Sequence, residues 1–383
     1  MNDIQPFTIS ISDAAIEDLH RRIDNTRWPD QLNDDDWSYG AELEYLKSLV
    51  HYWRNEFDWR KQESLLNRFD QFTLDFDGLR THFIHHRSPH KEARPLLINH
   101  GWPGSIVEFV ELIPRLLEPE KFGGRAEDAF HIVAPSLPGY GFSQAAQSPG
   151  MNTRAIARRH VELMSRLGYD AYICQGGDWG AMVTRHVAEL DPVHCKAIHL
   201  NLVLALPGDD ADPMKGVSAE EQALLADDSR FRKDEMAYFK IQATKPQTLG
   251  YALQDSAVGL CAWLTEKFRT WTDCEGEIRN AVSWDTMLTN ISLYWFSNSI
   301  ASSVRLYREH MEFPEPQNRI EVPTGAAVYK RELVRPPKAW VEASYNLVHW
   351  HRADKGGHFA AMEQPQAFAE DLWRFRKAVR DFI

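Results

Sequence analysis

The chain has 383 residues, enough for one large α/β domain with insertions or for two to three domains. Hydrophobic residues make up 43% of it, with 13 Trp and 19 Phe, which supplies a substantial core and argues against disorder. A formal net charge of -12, with no basic stripe interleaved with aromatics, argues against nucleic acid or an anionic membrane surface as partner.

The start, Met1-Asn2-Asp3-Ile4-Gln5-Pro6, has neither a basic n-region nor an apolar h-region, so no secretion signal is read. No charge-free apolar run is long enough to span a bilayer. The expectation is a soluble, cytoplasmic protein without a membrane anchor. Residues Ser10 to about Phe69 read as helical. Ser12 can cap a first helix that carries Asp13, Glu17 and Asp18 early and buries Ile16, Leu19 and Ile23, ending by Trp28-Pro29. Leu43, Leu46, Val50 and Trp53 stripe a second helix, and a third runs from Trp59 to Phe69. These stripes read as packing surfaces, and the aromatic-rich segment is a candidate face for a homo-oligomer.

From Phe72 the texture changes. Phe72 to Phe76, a turn at Asp77-Gly78 and Thr81 to His86 predict an antiparallel hairpin. Short apolar runs follow at Leu96 to Asn99, His131 to Ala134, Ala171 to Cys174 and Ala197 to Leu200, separated by helical stretches at Ser105 to Leu117, Thr153 to Leu167 and Met182 to Leu190. Strands alternating with helices imply a mostly parallel sheet covered on both faces. From about Pro207 to Pro316 helices take over, including Ala219 to Asp227, Arg230 to Gln242 and Leu293 to Met311. Strands return at Gly325 to Val328 and Leu347 to Trp350, and a helix from Gln364 to Phe382 closes the chain. The expected division is 1–70 as a helical N-terminal segment, 71–206 and 318–383 as two halves of one α/β core, and 207–317 as a helical lid inserted between them. Cys174, Cys195, Cys261 and Cys274 lack metal-ligand spacing, and the two that lie in predicted strands read as reduced buried thiols.

Chemistry concentrates at Gln175-Gly176-Gly177-Asp178-Trp179-Gly180-Ala181. Small residues at 176, 180 and 181 permit the cramped strand-to-helix turn of an α/β-hydrolase elbow, but Asp178 stands where serine is usual. A carboxylate is already anionic at neutral pH, so it can attack an electrophilic sp3 carbon, as in an epoxide or alkyl halide, and form an ester. The bland alternative is an Asp that caps the following helix. His100-Gly101-Trp102-Pro103 follows a predicted strand at the carboxyl edge, where such sheets bind ligands, and the backbone N–H groups of Trp102 and Trp179 are candidates for an oxyanion hole. His358, in a turn after the last strand, is favoured as general base over His349 and His351, which fall at a strand end. Glu332 is the first candidate for the acid that orients it. A surface carboxylate beside Lys330 and Arg331 is its bland reading, and Asp354 stands too close in sequence to His358. Pro138 to Phe142 lacks the third glycine and acidic follow-up of a dinucleotide loop.

With these stations quoted, the chain resembles the microsomal-type epoxide hydrolases. The likeness runs from Thr26-Arg27-Trp28-Pro29 through His100-Gly101-Trp102-Pro103-Gly104-Ser105, Pro138-Gly139-Tyr140-Gly141-Phe142-Ser143, Gly176-Gly177-Asp178-Trp179-Gly180 and Val322-Pro323-Thr324-Gly325 to Gly356-Gly357-His358-Phe359-Ala360-Ala361. The resemblance implies an α/β-hydrolase core, a helical cap and an N-terminal meander. It implies Asp178 as nucleophile, His358 as base, Glu332 as acid, and Tyr238 and Tyr307 as the pair that holds the epoxide oxygen; by residue type alone, a cap tyrosine is a packing residue. Tyr251 and Tyr294 fit less well. The expected partners are an epoxide and water, with no metal or organic cofactor. The rivals are a haloalkane dehalogenase, which usually has Asn where Trp102 stands, and a non-catalytic ligand-binding protein on the same fold.

Overall fold

In the computed structural model, residues 4–32, 37–208, 212–312 and 318–382 are described. The Met1 to Asp3 start and the expected division after residue 317 lie outside them. Nine strands form one sheet in the order β1-β2-β3-β5-β4-β6-β7-β8-β9. They are β1 (Ile4–Phe7), β2 (Gln71–Phe76), β3 (Leu79–His86), β4 (Arg94–Asn99), β5 (Phe130–Pro135), β6 (Tyr172–Gly176), β7 (Cys195–Leu200), β8 (Ile320–Arg331) and β9 (Tyr345–Gly357). β1, β2 and β3 pair antiparallel, as does β3 with β5, and every pairing beyond β5 is parallel. The predicted hairpin turn is tight because Asp77 and Gly78 both take positive φ, 54° and 68°.

The helices are α1 (Asp13–Asp24), α2 (Leu43–Asn55), α3 (Trp59–Leu66), α4 (Leu112–Leu117), α5 (Thr153–Arg166), α6 (Asp178–Leu190), α7 (Ala219–Glu235), α8 (Ala237–Thr244), α9 (Pro246–Asp255), α10 (Ala257–Trp271), α11 (Trp284–Phe296), α12 (Ile300–Glu312), α13 (Lys338–Ser344), α14 (Ala360–Glu363) and α15 (Pro365–Ala378). Side chains of the central strands alternate between two layers, as a period of two requires. Leu97, Val133, Cys174 and Ile198 meet the layer of α5 and α6, whereas Leu96, Ile132, Ile173 and Ala197 meet that of α4 and α15.

Several expected elements differ in detail. β1 was absent from the helical reading of the N-terminus; four residues are too few for alternation to show, and pairing with β2 makes the strand. α1 ends at Asp24 with Asn25 as its cap, before Trp28-Pro29, and α3 stops at Leu66. The stretch Ser105 to Leu117 divides into a 3-10 turn, Ile106–Phe109, and α4, because Pro114 has no N–H to donate and is tolerated only in a first turn. α7 runs on through Asp227 and Asp228, which looked like a break. Arg335 engages both carboxylates, and its Nε lies 2.8 Å from Asp228 Oδ1, so neither is left to cap a new helix. The expected helix Arg230 to Gln242 is instead the end of α7 and most of α8, interrupted at Met236. The expected helix Leu293 to Met311 is also two, since Asn298 takes φ 53° between α11 and α12.

The N-terminal helices hold the helices inserted between β7 and β8. Trp53 Nε1 donates to Ser292 Oγ at 2.9 Å, Tyr52 to Asp285 at 2.8 Å, and Trp284 Nε1 to the Tyr45 hydroxyl at 3.0 Å. All four cysteines are free and buried. Among the described residues no helix is long and apolar enough to cross a membrane, and no cluster of three or more His, Cys, Asp or Glu side chains could hold a metal ion.

Candidate active site

β6 ends at Gly176 and α6 begins at Asp178, ahead of the expected start at Met182. Asp178 takes φ 50°, a left-handed conformation that costs a non-glycine residue about 1–3 kcal/mol and aims its side chain off the sheet edge. The turn closes because residue 180 is glycine: a Cβ there would stand 2.2 Å from the Asn99 carbonyl oxygen at the end of β4. The Asp178 carboxyl group is held on two sides. Its Oδ1 accepts the Trp102 backbone N–H at 2.7 Å, and its Oδ2 lies 3.2 Å from His358 Nε2. The Trp179 N–H belongs to the first turn of α6, where no intrahelical acceptor exists.

His358 follows β9 directly, in a turn held on both sides. The His358 N–H donates to the Trp271 carbonyl at 2.8 Å. Glu363 accepts the N–H groups of Gly357, Phe359 and Asp273 at 3.0, 3.1 and 2.8 Å, fixing the chain on both sides of the ring. Glu332, one residue past β8, is buried with Oε1 2.7 Å from His358 Nδ1. Burial would lower the imidazole pKa, but the carboxylates of Glu332 and Asp178 outweigh it and hold His358 well above its ordinary value. His349 lies inside β9 and is bonded to Asp371 at 2.8 Å, as is the buried His199 at 2.9 Å; His351 lies in the same strand and Asp354 is exposed.

Tyr238 on α8 and Tyr307 on α12 come together over the His100 loop, with ring centroids 6.0 Å apart. The Trp102 ring stacks on Tyr238 at 5.6 Å and meets Tyr307 edge-on at 5.7 Å, and Trp179 contacts Tyr307 at 4.7 Å. Burial, reinforced by the charge of Asp178, keeps both phenol pKa values above the ordinary range, so both remain donors. Tyr251 is exposed, and the Tyr294 hydroxyl is bound to the Gly104 carbonyl at 2.8 Å.

Other participants carried no local signal. Asn290 on α11 donates to the Pro103 carbonyl and accepts from Ser105, both at 2.7 Å, clamping the loop that presents the Trp102 N–H. The buried Lys267 ammonium lies 4.6 Å from the Tyr238 ring centroid, a cation over a π face. Neither could have been found from spacing, because each acts across elements far apart in sequence.

Fold and site together define an α/β hydrolase whose elbow carries a carboxylate. An alpha/beta hydrolase fold family model matches residues 94–246, and one for the epoxide hydrolase N terminus matches residues 4–109. Epoxide hydrolase 1 of Oryctolagus cuniculus is 40% identical, over 97% of this chain and 88% of its own. A Stigmatella aurantiaca protein, provisionally described as an epoxide hydrolase, is 48% identical over 96% of this chain and 84% of its own. The crystal structure of juvenile hormone epoxide hydrolase from Bombyx mori superposes with a TM-score of 0.90 at 33% identity, covering 99% of this chain and 95% of that one. The chain belongs to the microsomal-type epoxide hydrolase family.

Proposed function

We propose that this protein converts an epoxide to a vicinal diol in two steps through an ester on Asp178. The observation that carries the reading is the Asp178 carboxyl group, held at positive φ between the Trp102 N–H and His358, with the rings of Tyr238 and Tyr307 packed together against Trp102 and Trp179. In the first step Oδ2 bonds to a ring carbon, the C–O bond of the ring breaks, and a tyrosine hydroxyl gives its proton to the departing oxygen. Oδ1 becomes the ester carbonyl oxygen, already in place against the Trp102 N–H.

Ester formation removes the charge of Asp178, and with it part of what holds the proton on His358. That proton restores the phenol, and the neutral imidazole, oriented by Glu332, takes a proton from water as the water attacks the ester carbon. The N–H groups of Trp102 and Trp179 stabilise the oxyanion. The Asp178–diol bond then breaks with return of the His358 proton to the leaving oxygen, and the new carboxylic acid recharges the imidazole. No proton is gained or lost over the cycle.

The test is His358→Gln. A base of this kind is worth about 10²–10⁴-fold in the step it serves. The variant should form the ester in one burst and stall, with the adduct mass found on the peptide bearing Asp178; absence of any adduct would show that His358 does not act in the second step. Haloalkane hydrolysis is the second reading, because the Trp102 indole N–H is buried without a partner among the described residues and could hold a halide. The tyrosine pair, which that reaction does not need, favours the epoxide.

A further inference from the structure

One buried carboxyl group close to Asp178 has no part in the scheme above. Glu108, in the 3-10 turn after the His100 loop, is a half-buried residue whose carboxyl group is enclosed by protein. It accepts the backbone N–H of Gly101. It also lies flush against Gly104, where a Cβ would stand 1.7 Å from Glu108 Oε1. Gly101 in turn abuts the nucleophile, since a Cβ there would stand 2.1 Å from Asp178 Oδ1. A single glycine therefore separates the two carboxyl groups, and a side chain at 104 would have to displace the Glu108 carboxyl group.

On its other side Glu108 lines a cavity of about 90 Å³ between α3, α11 and the 3-10 turn. Gln62, Thr286, Thr289 and Glu111 supply polar wall, and Leu65 and Glu111 are exposed at its rim. A single water needs roughly 10–15 Å³ of such space and two to four polar partners, so this pocket has room and partners for several. Glu108 is thus the wall residue that joins a water-sized, surface-reaching pocket to the loop around Asp178.

We propose that Glu108 positions the water for the second step, drawing it from the pocket between α3 and α11 and directing it toward the ester on Asp178. The inference rests on the ester mechanism proposed above. Burial pushes the Glu108 carboxyl up to about 8; the His358 charge opposes this, and the Asp178 and Glu332 charges add to it. At neutral pH the group is therefore mostly a carboxylic acid, able to accept from Gly101 and donate to water at once. The covalent bookkeeping of the step is unchanged. The water oxygen bonds to the Asp178 carbonyl carbon, its proton passes to His358, and the bond to the diol breaks as that proton moves to the leaving oxygen. Glu108 orients and is not consumed.

The experiment compares Glu108→Gln, Glu108→Leu and Glu108→Asp with the unaltered protein in single-turnover quenched flow on styrene oxide, resolving ester formation from ester decay. Glutamine keeps an acceptor and a donor and should decay within about threefold of the unaltered rate, whereas leucine, which holds no water, should decay about 10–100-fold more slowly with ester formation unchanged. Aspartate, a shorter acid, should also slow decay, and it carries the test if the leucine variant does not fold. Equal slowing of both steps, or unchanged decay in the leucine or aspartate variant, would overturn the assignment. Failure of the unaltered protein to form any ester would instead overturn the two-step mechanism itself.

Discussion

At the scale of single residues the site works by pairing groups whose environments oppose one another. Two phenols are pushed above their ordinary range by burial and by the charge of Asp178, while two carboxylates hold the imidazole protonated against burial. Tyr238 and Tyr307 sit 6.0 Å apart by ring centroid, and in the proposed mechanism both donate to the same ring oxygen. Replacing one by Phe should slow ester formation by about 10²-fold, the usual loss when one of two donors to a developing oxyanion is removed. Replacing both should cost far more than either, with ester decay little changed, as read by single-turnover kinetics. A dehalogenase would release halide from a chloroalkane at the same rate with or without these hydroxyls. The elbow itself was legible in the sequence because its requirements are local: three small residues and one acid within a few positions. Glu332 was not separable from a surface carboxylate, because its burial depends on β8 and β9 lying side by side.

Among the elements, α11 carries the longest chain of consequence. α2 pins it through Trp53 and Tyr52, and it pins the loop that presents the Trp102 N–H through Asn290 and Tyr294. An N-terminal segment that read only as packing surface is thereby coupled, through one helix, to the backbone N–H that meets Asp178. Asn290→Ala leaves the Pro103 carbonyl and the Ser105 hydroxyl without their buried partner. It should cost about 1–3 kcal/mol of stability and lower kcat by about tenfold with KM little changed. Wild-type kcat in this variant would show that the loop holds its shape without α11. Helix ends were the least legible feature: the expected helix stops at Asp227, whereas α7 runs on because Arg335, more than a hundred positions later, engages Asp227 and Asp228.

For the whole molecule the burial of neutral histidines sets the response to acid. His82, His100 and His160 are buried, and desolvation lowers their pKa values to about 3, 4 and 3. Their unfolded counterparts titrate near 6.5, so on acidification the unfolded chain takes up protons first, and stability is lost as pH falls below about 6.5 at about 1.4 kcal/mol per pH unit for each. His358 has the opposite sign: its raised pKa stabilises the fold below the unfolded value, an advantage lost only as pH rises through the folded one. Between pH 6.5 and pH 4.5 the His358 contribution is already complete. Over that range His82, His85, His100 and His160 lose stability as pH falls, while Glu108 and Glu363, pushed by burial up to about 8 and 7, gain it. With the histidines in the majority the urea midpoint should fall over this range, and a flat profile would mean these rings have access to solvent. At this scale the alternation of strands and helices made the sheet and its two covered faces readable, because period two and period 3.6 are written in every element. Which side chains the sheet would bring together was not, since Asp178, Glu332 and His358 meet only through the strand order.

The first turnover in oxygen-18 water, with protein in excess over epoxide, bears most directly on whether carbon bonds to Asp178 before water takes part. If it does, the first diol carries no heavy oxygen, one of its oxygens having come from the Asp178 carboxyl group, and the label appears in the protein instead. Heavy oxygen in that first diol would mean that water opened the ring directly.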